Sequence, residues 1–265
     1  MALSGKDKKG LGVLAAVLAC VVVAMFANYS LSGREKPGEH NCLSNVDRKT
    51  VIVIDRSDDT PLQTVDEIAA RIRNYVSRTA QENELISIYE VTSSSTTALS
   101  PVFSACVPQK DGNDLYEHRK SIKKFYDERF AKPLAEALKR PATTSETSPV
   151  AEVLTDLSAS DVMQSPSTRL MVFSDMMQNS GNGSLYGCRD GRSAIAAYKR
   201  SKSGSIERPT FRNTSVELHL VPREGFDPAV VQCRMRFWTW FFGNNEGSGA
   251  GVEFLPLPGG AAVND

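Results

Sequence analysis

The chain has 265 residues, of which 41% are hydrophobic, and 31 basic side chains balance 31 acidic ones. Zero net charge removes the global positive field that would argue for nucleic acid. The hydrophobic share is that of a globular chain with an adequate core, in one large domain or two small ones.

The first element is apolar. Leu11 to Ala27, LGVLAAVLACVVVAMFA, carries no charge and is long enough to cross most of a bilayer's hydrocarbon layer. Lys6, Lys8 and Lys9 precede it, opposed by Asp7 alone. Positive flanks stay in the cytoplasm, so the expectation is a cytoplasmic N-terminus over 1–10 and a single-pass signal anchor over 11–29. The rest of the chain would then lie on the periplasmic or extracytoplasmic side of the inner (cell) membrane. A cleaved signal peptide would have a shorter apolar stretch and a small-x-small site, a pattern that Met25 spoils. A lipoprotein site at Cys20 is disfavoured because the apolar run continues through Val21, Val22 and Val23.

That topology places Cys42, Cys106, Cys188 and Cys233 in an oxidising compartment, where disulfides persist. Three pairings are open to them, one being Cys42–Cys106, and free buried thiols are the alternative. Their spacing excludes paired CxxC zinc knuckles.

After a polar linker over 30–49, a domain over 50–258 alternates two hydrophobic periods. Val51 to Ile54 reads as a fully buried strand, and Val65, Ile68, Ala69, Ile72 and Val76 form one helical stripe. ELISIYEV alternates like a strand, and TTALSPVFSAC returns as its hairpin partner. A charged helix is expected over roughly 113–138. SPVAEVLTDLS opens the next, with Ser148 or Thr147 at its N-cap and Pro149 at its first position. TRLMVFSD is a second buried strand ending in an acid. GRSAIAAYKRSK is helical, TSVELHLVP a strand, FDPAVVQCRMRFWTWFFG a helix and GVEFLPLP a closing strand, followed by a tail over 259–265. This alternation predicts an α/β fold: a Rossmann-like, doubly wound, mostly parallel sheet with one antiparallel edge strand.

In such a sheet ligands sit beyond the carboxyl ends of the strands. VIVIDRSDDTP puts Asp55, Ser57 and Asp59 there at alternate positions, and the second strand delivers Asp175. Ser148, or Thr147, stands at a helix start with a hydroxyl free to face the same crevice. Carboxylates and hydroxyls without His or Cys are the hard-oxygen set of Mg²⁺ or Mn²⁺. The plainer alternative is a solvated turn in which Asp55 caps the strand end and Ser57 to Thr60 cap the next helix.

These residues resemble the von Willebrand factor A (integrin I-like) domain and its metal-ion-dependent adhesion site. DRSDD supplies Asp55 and Ser57 in register with that family's D-x-S-x-S, with Asp59 in place of the second Ser. SPVAEVL resembles its TPLAEAL helix start and puts Ser148 where the family has Thr. MVFSDMMQNS resembles the strand-to-loop segment carrying the family's Asp, here Asp175. The resemblance spans roughly 50–257. It implies a non-enzymatic binding module in which Asp55, Ser57, Asp59, Ser148 and Asp175 hold a Mg²⁺ or Mn²⁺ that accepts an acidic group from a protein partner. That partner would be another envelope or membrane protein, with no nucleic acid and no small-molecule substrate. Asp59 for Ser adds a negative charge, which either strengthens resting metal binding or reduces the ion's appetite for an acidic ligand.

Two other classes compete. One is a metal-free scaffold subunit of an envelope complex. The other is a haloacid-dehalogenase-like phosphohydrolase, disfavoured because the residue two after Asp55 is Ser57, not Asp, and no downstream Lys motif stands out. RFWTWFFG reads as a last helix packed on the sheet, with Trp238 and Trp240 the candidates for a partner-docking face. SGNGS reads as a flexible rim beside Asp175, His219 as structural, and the Lys120, Lys123 and Lys124 cluster as a weak contact for anionic headgroups.

Overall fold

The structure, a computed structural model, describes residues 5–31, 38–95, 99–111, 119–202, 208–223, 225–247 and 251–258, with side chains of the first segment over 13–26 only. The chain divides into two compact units, Met1–Pro37 and Gly38–Asp265.

In the first unit the apolar run lies within one helix, α1, Gly5–Leu31. Its described apolar side chains are all exposed, from 46% at Val21 to 71% at Phe26. Among the described residues no helix is long and apolar enough to cross a membrane; of α1 only the side chains over 13–26 enter that statement.

The second unit is built on β1, Arg48–Asp55. Val51 to Ile54 are at most 1% exposed, and burying each side chain contributes roughly 1.5–3 kcal/mol. Beside β1 lie β2, Leu85–Val91, and β4, Ser167–Ser174, both parallel to it. β3, Phe103–Cys106, pairs antiparallel with β2 at one edge. β7, Thr214–Leu220, and β8, Gly251–Pro256, continue the sheet in parallel on the other side. The order β3-β2-β1-β4-β7-β8 reverses direction between β1 and β4. That is the switch point at which a doubly wound sheet opens a crevice. A two-stranded ribbon, β5 (Asn179–Ser180) and β6 (Gly183–Ser184), follows β4.

One face of the sheet is covered by α2, Leu62–Arg78, and by the segment α3 (Arg119–Tyr126), a π turn over Asp127–Ala131 and α4 (Lys132–Leu138). The expected charged helix is therefore continuous but carries a π turn; its residues 112–118 lie outside the described set. α5 (Val150–Ser158), α6 (Gly191–Ser201) and α7 (Pro228–Phe241) cover the opposite face. Because both faces are covered, β2 is buried nearly throughout instead of alternating. On α2, Val65 is only partly buried, and Tyr75 completes the inward stripe. Its hydroxyl joins Thr50 and Glu84 in a closed polar network inside the core, and burial beside Glu84 pushes the phenol up to about 12.

The linker is shorter than expected. Residues from Gly38 belong to the second unit, because Cys42 is bonded to Cys106 on β3 and Leu43 N donates to Asn83 Oδ1 at 2.8 Å. A second disulfide joins Cys188 to Cys233 on α7, and Cys20 is free. On the chain-entropy account, closing loops of this length stabilises the fold by about 4 kcal/mol each.

His219 on β7 stacks on Phe173 at 4.3 Å. Its Nδ1 lies 3.2 Å from Arg71 Nη1 and its Nε2 3.3 Å from Glu217 Oε2. Arginine only donates, so Nδ1 accepts and the neutral Nε2–H tautomer fits both neighbours. Burial, then the Arg71 charge, pulls this imidazole from 6.5 down to about 4. A lowered histidine gives stability that is complete above the unfolded value and is lost as pH falls toward the folded one. Between pH 6.5 and 4 this group alone removes about 3 kcal/mol. Urea denaturation at the two pH values should show a smaller acid loss in His219→Gln than in the parent.

Candidate functional site at the strand tips

Asp55 closes β1, and its carboxylate draws donors from several segments. Oδ1 accepts from Ser57 N at 3.1 Å and Ser57 Oγ at 2.6 Å. Oδ2 accepts from Ser148 Oγ at 3.1 Å and from Ser174 Oγ, the last residue of β4, at 2.7 Å. Ser57, Ser148 and Ser174 are all buried, at 1%, 5% and 1% exposure.

The helix-capping expectations are corrected here. Ser148 does not cap α5: that helix begins after Pro149 with no capping side chain from its own N-cap residue. Its hydroxyl is spent on Asp55, while Gln178 Oε1 accepts from Ala151 N at 2.8 Å at that helix end. α2 likewise starts after Pro61 with no side-chain cap, so Ser57 to Thr60 do not serve that role. Nor is the SGNGS rim loose. Ser148 and Asn179 exchange backbone bonds at 2.7 and 2.9 Å, and Ser180 and Asn182 donate to Glu152. This pairing fixes the Ser148 backbone, so that its Oγ points at Asp55. A cavity of about 430 Å³ opens on the other side of this segment, with Thr147, Pro149, Glu152, Asp156 and Lys202 among its walls.

Asp175 follows β4 and is 8% exposed. Its Oδ1 accepts from Met177 N at 2.8 Å, and its backbone oxygen accepts from Arg234 Nη1 at 2.7 Å. Burial first, and then the charge of Asp55, push its carboxyl from 3.8 up to about 6. Asp55 and Asp175 are thus near enough to resist sharing negative charge. The turn that follows Asp175 is held in an unfavourable backbone state: Met176 has φ 58°, which costs a non-glycine residue about 1–2 kcal/mol. Met176 N donates to Ser174 Oγ at 2.7 Å, and Met176 O accepts from Trp238 Nε1 at 2.8 Å, locking that state.

Besides Arg234, a second arginine reaches the cluster and pairs with its carboxylates. Arg223, just past β7, places Nη1 3.0 Å from Asp175 Oδ2 and Nη2 2.7 Å from Asp58 Oδ2. It also donates to the Tyr186 hydroxyl, and its guanidinium lies 5.9 Å from the ring centres of both Tyr186 and Phe226.

Of the residues singled out in the sequence, Asp55, Ser57, Ser148 and Asp175 converge. Asp59 is exposed and makes no hydrogen bond or ion pair among the described residues; Asp58 faces the cluster through Arg223 instead. Trp238 is wholly buried and offers no docking surface, because its indole is used to hold the Met176 turn. Trp240 is partly exposed, with Arg208 5.5 Å from its ring centre. Ser174, Arg223, Tyr186 and Trp238's structural part escaped the sequence reading; Arg223 was signalled by its place past a third strand's carboxyl end.

The convergent donors are carboxylate and hydroxyl oxygens, the type hard divalent cations take. Among the described residues no group of three or more Asp, Glu, His or Cys side chains is placed to hold a metal, so any such ion would rely on serine oxygens and water.

No family model matches the sequence, and neither does any curated protein. Similar solved structures include the SpRpn10 VWA domain (10% identity, 80% of this chain and 89% of that one, TM-score 0.38). Another is the ArnB paralog VWA2 from Sulfolobus acidocaldarius (11% identity, 81% and 42%, TM-score 0.39), of which this chain spans less than half. A third is an aerotolerance-related membrane protein from Bacteroides fragilis (14% identity, 81% and 92%, TM-score 0.33). At these values the likeness adds nothing to the strand order and register above, on which the fold rests.

Trp238→Phe removes the indole N–H that serves the Met176 carbonyl and part of a wholly buried ring system. The unpaired carbonyl and the cavity together should lower unfolding free energy by about 2–5 kcal/mol in a denaturant titration.

Proposed function

We propose that the second unit is a von Willebrand A-like protein-binding module that engages a partner protein at the crevice between the tips of β1 and β4. The observation that carries this reading is the juxtaposition of Asp55 and Asp175. Two strands far apart in sequence bring their acids to the switch point, where burial first and the Asp55 charge second raise Asp175 to about 6. Three carboxylates, Asp55, Asp58 and Asp175, face two guanidiniums, Arg223 and Arg234, so the residual negative charge would still favour a cation. Asp55, Ser57, Ser148 and Asp175 would hold a Mg²⁺ or Mn²⁺, directly or through water. The hydroxyls of Ser57 and Ser148 can donate to Asp55 while their lone pairs face the ion. When bound, the ion would supply a Lewis-acidic anchor for a carboxylate of the partner.

Both oxygens of Asp55 already accept two hydrogen bonds each, so Asp55 would reach a cation through water and is a poor nucleophile for phosphoryl chemistry. The uncharged run Leu11 to Ala27 behind Lys6, Lys8 and Lys9 supports a single-pass anchor in the inner membrane, with the module on the extracytoplasmic side. The two disulfides accord with that side.

A metal-free scaffold is the second reading, and the Arg223–Asp175 pair is the observation in its favour. Calorimetry of the unit from Gly38 onward should show saturable Mg²⁺ or Mn²⁺ binding at millimolar metal or below, abolished in Asp55→Ala, which should still melt cooperatively but at a lower temperature because three buried serine hydroxyls lose their acceptor. Absence of any metal heat removes the cation from the function. Crosslinking from membranes with and without chelator then separates the two: partners lost on chelation support the ion, and partners retained support the scaffold.

A further inference from the structure

We infer that Arg223 is a built-in competitor for the cation site, so that a divalent ion binds only by displacing its guanidinium from Asp175. The inference rests on the metal-site reading above. Arg223 bridges two carboxylates, Asp175 and Asp58, with one nitrogen each, at 3.0 and 2.7 Å. The oxygen it takes on Asp175 is Oδ2, whereas Oδ1 is already bonded to Met177 N. The guanidinium therefore occupies the acceptor that the turn leaves free. A divalent ion drawing on Asp175 would meet a fixed positive charge at contact distance, where like charges repel strongly.

Deprotonation offers no way out, because arginine stays charged in proteins. The side chain must move instead. Arg223 can do so: its side chain is 31% exposed and stands on the segment beyond β7. Three things hold it in place, namely Asp58, the Tyr186 hydroxyl and the ring faces of Tyr186 and Phe226. Arg234 is different, since it donates to the Asp175 backbone oxygen and not to the carboxylate, and so braces the turn without blocking the acid. Asp58 thus serves as the resting counter-ion of the latch, which accounts for an acid at that position facing the cluster while Asp59 faces solvent.

The test is Mn²⁺ and Mg²⁺ calorimetry on the full chain as parent, Arg223→Gln and Tyr186→Phe. Arg223→Gln should bind Mn²⁺ about tenfold more tightly. Tyr186→Phe changes no charge and removes one hold on the latch, so it should tighten binding by about two- to fivefold. In arginine-labelled protein, saturating Mg²⁺ should move the Arg223 Nε–H resonance toward that of a solvated guanidinium. If the parent binds metal and Arg223→Gln binds it equally or more weakly, the latch is wrong and the metal site stands. A parent that binds metal with the Arg223 resonance unmoved has the same meaning. If neither parent nor Arg223→Gln binds Mn²⁺ at millimolar concentration, both the latch and the metal site fall.

Discussion

A carboxylate at the end of a fully buried strand has to collect its hydrogen-bond donors from whatever the sheet brings beside it. Asp55 collects them from its own turn, from the tip of β4 and from the residue just before α5. These bonds run between segments up to 119 residues apart, so the carboxylate joins two strands and a helix entry at one point. Charged acceptors make the stronger hydrogen bonds, and all three hydroxyls that serve Asp55 are shielded from water. The crevice at the switch point is therefore a closed polar knot, not an open notch, and any ligand must enter it by exchanging partners.

The second half of the knot depends on α7. Its residues Cys233, Arg234 and Trp238 lie close on the helix, and all three reach the chain that follows β4. Cys233 is bonded to Cys188, Arg234 donates to the oxygen of Asp175, and Trp238 donates to the oxygen of Met176. The left-handed state of Met176 would relax in a free peptide; here both its amide and its carbonyl are pinned. Gln178 extends the same turn to α5, donating to Glu152 and accepting from Ala151. The geometry of Asp175 is thus set by a helix far along the chain, through backbone atoms that any sequence would supply.

That dependence explains what could be read in advance. Strand and helix positions were legible because burial on two faces or one leaves a period in the residue types, as in Val51 to Ile54 and the α2 stripe. Asp55, Ser57, Ser148 and Asp175 were legible because strand tips at a switch point have a fixed address in an α/β sheet. The partner of each hydroxyl was not. Ser148 looked like a helix cap, since Ser-Pro before an apolar run is a capping pattern, and only the proximity of Asp55 redirects its hydroxyl. Trp238 looked like a docking group because it projects differently from Trp240; it is buried by packing against Phe237, Phe241 and Phe242, and its indole N–H reaches a loop carbonyl, which leaves no trace in periodicity. The choice of Asp58 over Asp59 was equally hidden, because it depends on which acid faces Arg223 across the crevice.

The charges facing one another explain why this arrangement is poised and not merely satisfied. Asp55, Asp58 and Asp175 bring three carboxylates together, and one guanidinium spans the last two. Hydrogen bonds from serines and amides stabilise the ionised acids without cancelling their charge, and at the buried Asp175 the remaining repulsion is weakly screened, whereas Asp58 is 37% exposed. Burial is the main reason the Asp175 carboxyl is raised, and the charges of Asp55 and Asp58 add to it. A core packed with apolar residues would relieve it by omitting one acid, so keeping both is a cost to the isolated fold. Arg223, spanning Asp58 and Asp175, lowers that cost in part.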